Sequence, residues 1–571
     1  MDSKALANWI MSAAFVAGIS LPLVTMWSGN GSNSEQRTLA SFPSADLESG
    51  AIYRFPAAFE SYVNDRFGFR NWLLDLQGRL SYKVFHRSGS SRVIAGKQDW
   101  LFYTDDGSLQ DMQRTDPFSA ADLKNWKASI EQRGAWLSQK GIQYRVVVAP
   151  DKQTVYPEML SPRMFGPGPS RLEQLLSYVG PSPYLVDTHP ALVEQKPVAG
   201  GRLYFHTDTH WTSYGAYLGY RRLMDSFGGQ LKAHAMTLPD SAFVTQQGSR
   251  PTDLSTMIRL PRAEANQAAD IAAKIDCLRQ SQALPPLGID ISTLQGYSAT
   301  MCRGQTGTAL VFHDSFMTAM SPYISSQFGR VVYVWTRPDS DMLVRMVAQE
   351  KPDVVIEERV ERYMRTPPQP DLDQALARAE TAATRQYTTA SWNQHEQSNA
   401  LLNIGTRLVK TAGEESFVVD GKVLASVPAK QDSGGFLDQV RGEGRDYVFT
   451  GWAGLPDQGK AAQFVVLTAG DQVVYVAPAG GARPDVADHY DQEALANSGF
   501  TFQIPHDYLW ATSGAIRMFA FNGNQVAQIH VNPDSLRGIQ QRDTYLAQQK
   551  KQVEAQAASS SAAHAGPEVT R

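Results

Sequence analysis

Five short, mostly apolar runs set the architecture of this chain. They are Tyr144–Ala149, Ser182–Val186, Thr308–Phe312, Val331–Trp335 and Asp353–Ile356. None alternates apolar and polar residues as a strand with one wet face would. Each therefore reads as a strand covered on both sides. Amphipathic stretches such as Asp341–Glu350 lie between them, which predicts an α/β domain built on a parallel sheet. Such sheets gather their ligands at the carboxyl ends of the strands. Ser315 falls just past one such end, and so do Asp151, Lys152, Arg337 and Glu357.

The chain has 571 residues, enough for two or three folded units. Residues 44–87 carry Phe59, Tyr62, Val63, Phe67, Trp72 and Leu73 near helical spacing. Beyond a charged, alanine-rich stretch at 371–388 the pattern changes to short strands, among them Gln463–Leu467, Gln472–Val476 and Ile516–Phe521. Turns such as Asp420-Gly421 and Asn522-Gly523 separate them. This reads as an all-β, sandwich-like module. Trp452, Tyr475, Tyr490 and Trp510 in it could stack on sugars, though core packing is the expectation for most. Arg483 and Asp485 form either a second binding patch or a salt-bridged loop. The expected division is an anchor at 1–27, an α/β domain at 28–385, the β module at 386–535 and a disordered tail at 536–571.

Residues 5–27 contain no charged side chain, and Trp9 and Trp27 flank the run. About 20 apolar residues suffice to span a bilayer in helix. No small-x-small cleavage site follows, so an uncleaved transmembrane anchor is expected rather than a signal peptide. The expected topology is single-pass, with the rest of the chain exported. The net charge of −4 gives no basic face for nucleic acid. Cys277 and Cys302 are either one disulfide or two thiols; two cysteines make no zinc site.

Two segments a hundred residues apart carry the chemistry. One is Tyr204-Phe-His-Thr-Asp208-Thr-His210-Trp211, and the other is Val311-Phe-His313-Asp314-Ser315-Phe316. A serine at a strand-to-helix turn is exposed and lies among backbone N–H groups that can face an oxyanion. It needs a base to become a nucleophile. His210 would be that base and Asp208 would orient it. His313 is the rival base. Asp-x-His also occurs at Asp187–His189, where a loop bonded to itself is the plain reading. His206, Asp208 and His210 could instead be metal ligands on one strand face, the mark of a metal-dependent hydrolase. No further cluster completes such a sphere, so neither metal nor cofactor is expected. Asp314 or Ser315 could simply cap the helix that follows.

At these residues the chain resembles the SGNH-like acetyltransferases of bacterial exopolysaccharide modification, the AlgX/AlgJ-like and DHHW-type proteins. The matching segments run in order from Glu35–Pro43 through Phe59–Arg70, Gly96–Phe102, Pro150–Pro157, Asp208–Trp211 and Asp314–Phe316. The last are Lys351–Glu357 and Glu361–Tyr363. The resemblance implies an SGNH-hydrolase-like domain with Asp208, His210 and Ser315 as a triad, and Arg337 and Tyr363 near the substrate. His313 departs from the more usual glycine. The implied reaction moves an acetyl group through a serine ester onto a hydroxyl of an exopolysaccharide or cell-envelope glycan. The implied partners are the polysaccharide, a membrane-bound O-acyltransferase as acetyl donor, and other polysaccharide export or biosynthesis proteins. An acetyl esterase with the same triad and a non-catalytic glycan-binding scaffold are the rival functions.

Overall fold

The computed structural model describes residues 40–43, 51–66, 70–85, 87–199, 203–248, 251–269, 277–280, 294–302, 305–383, 406–411, 413–419, 421–428, 433–443, 446–505 and 514–539, with a few single residues besides. The five apolar runs lie in one seven-stranded sheet. Its strands are β1 (Gln143–Ala149), β2 (Leu185–Asp187), β3 (Cys277–Gln280), β4 (Tyr297–Cys302), β5 (Thr308–Phe312), β6 (Arg330–Val334) and β7 (Val354–Val360). Their spatial order is β2-β1-β7-β5-β6-β4-β3. The first five of these run parallel. β4 and β3 add antiparallel at one edge. That edge pair carries polar residues such as Arg279 and Ser298, so a search for doubly covered apolar runs passes over it. Cys277 and Cys302 face each other on its ladder and form a disulfide.

Alternate residues of each central strand enter opposite cores. Val147, Val311 and Ile356 pack with Tyr217 and Tyr220 of α2 (Ser213–Ser226) and with Met320 and Ile324 of α3 (Met317–Ser325). Val146, Leu310 and Val355 pack with Trp126 and Ile130 of α1 (Ala120–Gln139) and with Leu343 and Met346 of α4 (Ser340–Glu350). Both faces are covered, which is why the runs show no alternation.

Glu357 is a correction to the sequence reading. It lies inside β7, not beyond its end, and is buried on the α1 side of the sheet. Its carboxylate accepts from Arg133 Nη1 at 2.8 Å, Arg359 Nη2 at 3.0 Å and the Tyr144 hydroxyl at 2.7 Å. Burial pushes the carboxyl up, but the two guanidiniums outweigh it and hold it below the usual range. The apolar run ends before Glu357 because β7 continues through the buried polar residues Glu357, Glu358 and Arg359.

The C-terminal residues form two antiparallel sheets. One orders Lys422–Val427, Glu414–Val419, Arg407–Thr411, Gln472–Pro478, Phe464–Ala469, Ile516–Asn522 and Gln525–Ile529. The other joins Gly435–Glu443, Asp446–Leu455, Lys460–Ala461 and Gly499–Pro505. Leu437, Phe449 and Phe502 of one meet Val465, Val474 and Met518 of the other in a shared core. Tyr475 is in that core and Trp452 is buried. Tyr490 is exposed and packs its ring on Trp452; Trp510 lies outside the described residues. Arg483 pairs with Asp438 and Asp485, as a salt-bridged loop would.

Helices at Ala51–Arg66 and Arg70–Phe85 occupy the expected N-terminal helical stretch. The anchor expected at 1–27 lies outside the described residues apart from a few positions. Of the disordered tail expected at 536–571, residues 540–571 also lie outside them, while 536–539 are ordered in the 3-10 helix Pro533–Ile539, whose Ile539 is buried. Among the described residues no helix is long and apolar enough to cross a membrane.

Replacing Glu357 with alanine should cost about 3–5 kcal/mol in urea unfolding, because two buried guanidiniums lose their partner. A loss under about 0.5 kcal/mol, the scale of an ordinary surface substitution, would contradict the buried network.

Candidate active site

Ser315 owes its position to its neighbour. β5 ends at Phe312, and α3 begins at Met317. Between them Asp314 Oδ1 accepts the Phe316 N–H at 2.9 Å, closing a turn around Ser315. Asp314 Oδ2 accepts the Val360 N–H at 2.8 Å, tying the turn to the end of β7. The Asp314 N–H donates to Glu358 Oε2. Burial first, and the charge of Asp314 second, push the Glu358 carboxyl well up. The capping expectation fails for both residues: the N-cap of α3 is Phe316, with no side-chain cap bond, so Asp314 closes the turn ahead of the helix and the Ser315 hydroxyl meets another partner.

That partner comes from the loop between Tyr204 and Trp211, which pair in a short bridge. His210 Nε2 lies 2.7 Å from Ser315 Oγ. Asp208 Oδ1 accepts from His210 Nδ1 at 2.6 Å and from the His210 N–H at 3.0 Å. The Trp211 indole N–H donates to the Phe316 carbonyl at 2.9 Å, so the residues following His210 and Ser315 are bonded to each other. The Phe316 ring packs against both His210 and Trp211.

The loop is held from behind by groups that sequence spacing did not single out as a set. Lys152, buried past the end of β1, donates to the carbonyls of Phe205, His206 and Asp208 at 3.0, 2.9 and 2.7 Å. Burial pulls its ammonium down to about 7, against the charges of Asp253, Asp208 and Glu264. Glu264 accepts the N–H groups of His206 and Thr207 and the Thr207 hydroxyl. Asp253 accepts the N–H and hydroxyl of Thr209. No local pattern announces Asp253 or Glu264, because their partners lie more than forty residues away.

Electrostatics set the protonation of the chain of bonds. Burial raises Asp208, yet its bond to His210, the imidazole charge and the Asp253 N–H bring it to about 2. Burial lowers His210, but the hydrogen bond and charge of Asp208, with Asp253 beyond, leave it above its ordinary value. Aspartate, imidazole and serine hydroxyl form a continuous hydrogen-bonded line that can carry a proton off Ser315.

Arg337 and Tyr363 also meet. The exposed Arg337 guanidinium lies over the Tyr363 ring at 4.9 Å. Arg362, paired with Asp151, lies over Tyr363 at 5.3 Å and over Phe316 at 5.4 Å. A stack of cations and rings thus leads from the rim to the residue after Ser315. Among the described residues the rival sets are not assembled as read from the sequence. His313 bonds the Asp314 carbonyl through Nδ1 and packs on Tyr333 and Trp335. His206 stacks on Trp100 at 4.5 Å, and the group that does gather is Asp208, His210 and Asp253. In the other Asp-x-His copy, Asp187 accepts the His189 N–H, a loop bonded to itself.

Residues 93–284 match the family described as ALGX, SGNH hydrolase-like domain, acetyltransferase AlgX. The resemblance seen in the motifs is confirmed. The matched span includes Asp208 and His210 and ends before Ser315. Among curated proteins, the probable alginate O-acetylase AlgJ of Pseudomonas aeruginosa is 26% identical over 204 residues, covering 34% of this chain and 47% of that protein. AlgJ of Azotobacter vinelandii is 27% identical over 216 residues, covering 37% and 50%. The chain spans about half the length of the curated relatives it matches. Two solved structures are similar. The O-acetyltransferase domain of Pseudomonas putida AlgJ has TM-score 0.30 and 18% identity, covering 52% of this chain and 99% of that one. Pseudomonas aeruginosa AlgX has TM-score 0.28 and 14% identity, covering 80% and 98%.

Lys152→Met should unpair three loop carbonyls, costing about 1–3 kcal/mol of stability. It should also slow labelling of Ser315 by a fluorophosphonate at least about tenfold, by letting His210 drift from the hydroxyl. Labelling at the wild-type rate would show that the loop does not need this ammonium.

Proposed function

We propose that this chain is an O-acetyltransferase that modifies hydroxyls of an exopolysaccharide or other cell-envelope glycan through an acetyl ester on Ser315. The observation that carries the reading is the hydrogen-bonded line from Asp208 through His210 to Ser315. In the first half-reaction Ser315 Oγ attacks the donor's acetyl carbonyl while His210 Nε2 takes the hydroxyl proton. Asp208 stabilises the imidazolium. The Ser315 N–H, which has no hydrogen-bond acceptor among the described residues, is placed to meet the oxyanion. His210 then returns its proton to the departing donor oxygen, leaving acetyl-Ser315.

In the second half-reaction a sugar hydroxyl loses its proton to His210 and attacks the acetyl carbonyl. The intermediate collapses, and Ser315 Oγ regains the proton from His210. Arg337 and Tyr363 hold the acceptor at the rim. The alginate O-acetylase name of the curated relatives supports a polysaccharide acceptor. The uncharged run at residues 5–27 supports an inner-membrane anchor with the catalytic domain in the periplasm. An enzyme on that side has no acetyl-CoA pool, so acetyl groups arrive through a membrane-embedded acyltransferase. Neighbouring polysaccharide export proteins complete the setting.

The soluble part, given an activated acetyl ester and an oligosaccharide, should yield acetylated sugar, and Ser315→Ala should lower the yield by at least about 10³-fold. Free acetate as the sole product would make the chain an esterase. Unchanged turnover by Ser315→Ala would remove the serine from the chemistry.

The reactive base is neutral His210, and its pKa lies above the ordinary 6.5. The rate at limiting substrate should therefore rise with pH, reaching half its maximum above pH 6.5. A flat profile from pH 5 to 8 would contradict an imidazole base.

A further inference from the structure

The imidazole of His210 faces two carboxylates, and the mechanism above uses one. Asp208 Oδ1 is bonded to Nδ1, while Asp253 Oδ2 lies 3.9 Å from the same nitrogen. The two acids are themselves joined, because the Asp253 N–H donates to Asp208 Oδ2 at 3.1 Å. Asp253 also grips the residue between Asp208 and His210. Its Oδ1 accepts the Thr209 N–H at 2.9 Å and its Oδ2 accepts the Thr209 hydroxyl at 2.5 Å. The side chain is thus fixed at a set distance from the ring.

We propose that Asp253 is a second carboxylate for His210, a positioning residue whose charge stabilises the imidazolium formed when Ser315 gives up its proton. The proposal rests on the reading of Ser315 as a nucleophile. A carboxylate at 3.9 Å favours the charged ring through its field, and the Thr209 hydroxyl, which donates to Asp253 Oδ2 and lies 3.1 Å from His210 Nδ1, bridges the two. Thr209 holds both Asp253 oxygens, so Asp208 is the carboxylate bonded to Nδ1 and Asp253 adds a second negative charge nearby.

The surroundings of the ring leave room for that effect. Asp208 faces it from its own loop and Asp253 from the short helix Asp253–Met257. Arg362, from the turn Glu361–Arg365, opposes the imidazolium but is paired with Asp151. Ser315 and the Phe316 ring face it from the strand-to-helix turn. Lys152 faces both carboxylates from behind the loop, with Glu264 beside it. Burial, then the Asp208 charge, raise the Asp253 carboxyl itself. Asp208 and Asp253 therefore crowd each other until the ring between them carries a proton.

Titrating the His210 ring by NMR tests this without relying on turnover. In Asp253→Asn the contacts to Thr209 can persist while the charge is lost. The His210 pKa should fall by about one unit, and the acid limb of the rate profile should move down with it. Asp253→Glu should restore most of the shift. Thr209→Val removes the hydroxyl tether and its 3.1 Å contact with Nδ1 but leaves both charges, and should change the titration by less than about a third as much. A wild-type titration in Asp253→Asn, or an equal fall in Thr209→Val, would overturn the proposal and leave Asp253 as a tether only. If the NMR shift appears while wild-type protein forms no acetyl product, the carboxylate pair stands and the acetyl-transfer reading fails.

Discussion

A single indole hydrogen bond ties the two halves of the site together. Trp211 follows His210, Phe316 follows Ser315, and the bond from one to the other fixes the spacing of the residues beside them. Serine and imidazole are a hundred residues apart in sequence, so loop-closure entropy works against their meeting. Trp211 is buried with the Phe316 ring at its side, and the α2 and α3 helices that follow each loop share one core. The convergence is therefore a consequence of core packing and does not rely on the hydroxyl–imidazole bond alone.

Charge is handled in the same spirit on both sides of the sheet. Beneath it, Glu357 meets Arg133, Arg359 and Tyr144 in a buried hydrogen-bonded group. At its carboxyl rim the acids are left closer to titration. Lys152 is drawn down to about 7, and Glu361 is pushed up to about 8 by burial and then by Asp151 and Asp111. The first group lies in the core of the fold and the second surrounds the candidate site. Perturbed groups gather where a proton has to move.

The parallel core was legible because its five strands are covered on both faces and carry little but apolar residues. The antiparallel edge, Cys277–Gln280 with Tyr297–Cys302, was not, because an edge pair has no such requirement. Glu357 was misplaced since β7 extends through Glu357, Glu358 and Arg359, a run that looks like a loop in sequence: Glu357 and Arg359 pair inside the protein, and burial pushes the Glu358 carboxyl up. Asp208, His210 and Ser315 were legible because each sits in a distinctive short segment. Asp253 and Glu264 were not, since their roles exist only through contacts made across more than forty residues. In the β module the bland expectation held for Trp452 and Tyr475, which an alternating strand pattern places inward as readily as outward.

Peptide mapping of protein quenched within the first turnover of an activated acetyl ester tests the central claim most directly. The account predicts one acetyl group on the peptide bearing Ser315 in the wild type, and none above background in His210→Ala. Acetyl-Ser315 forming equally fast without His210, or an acetyl group on a different residue, would contradict it.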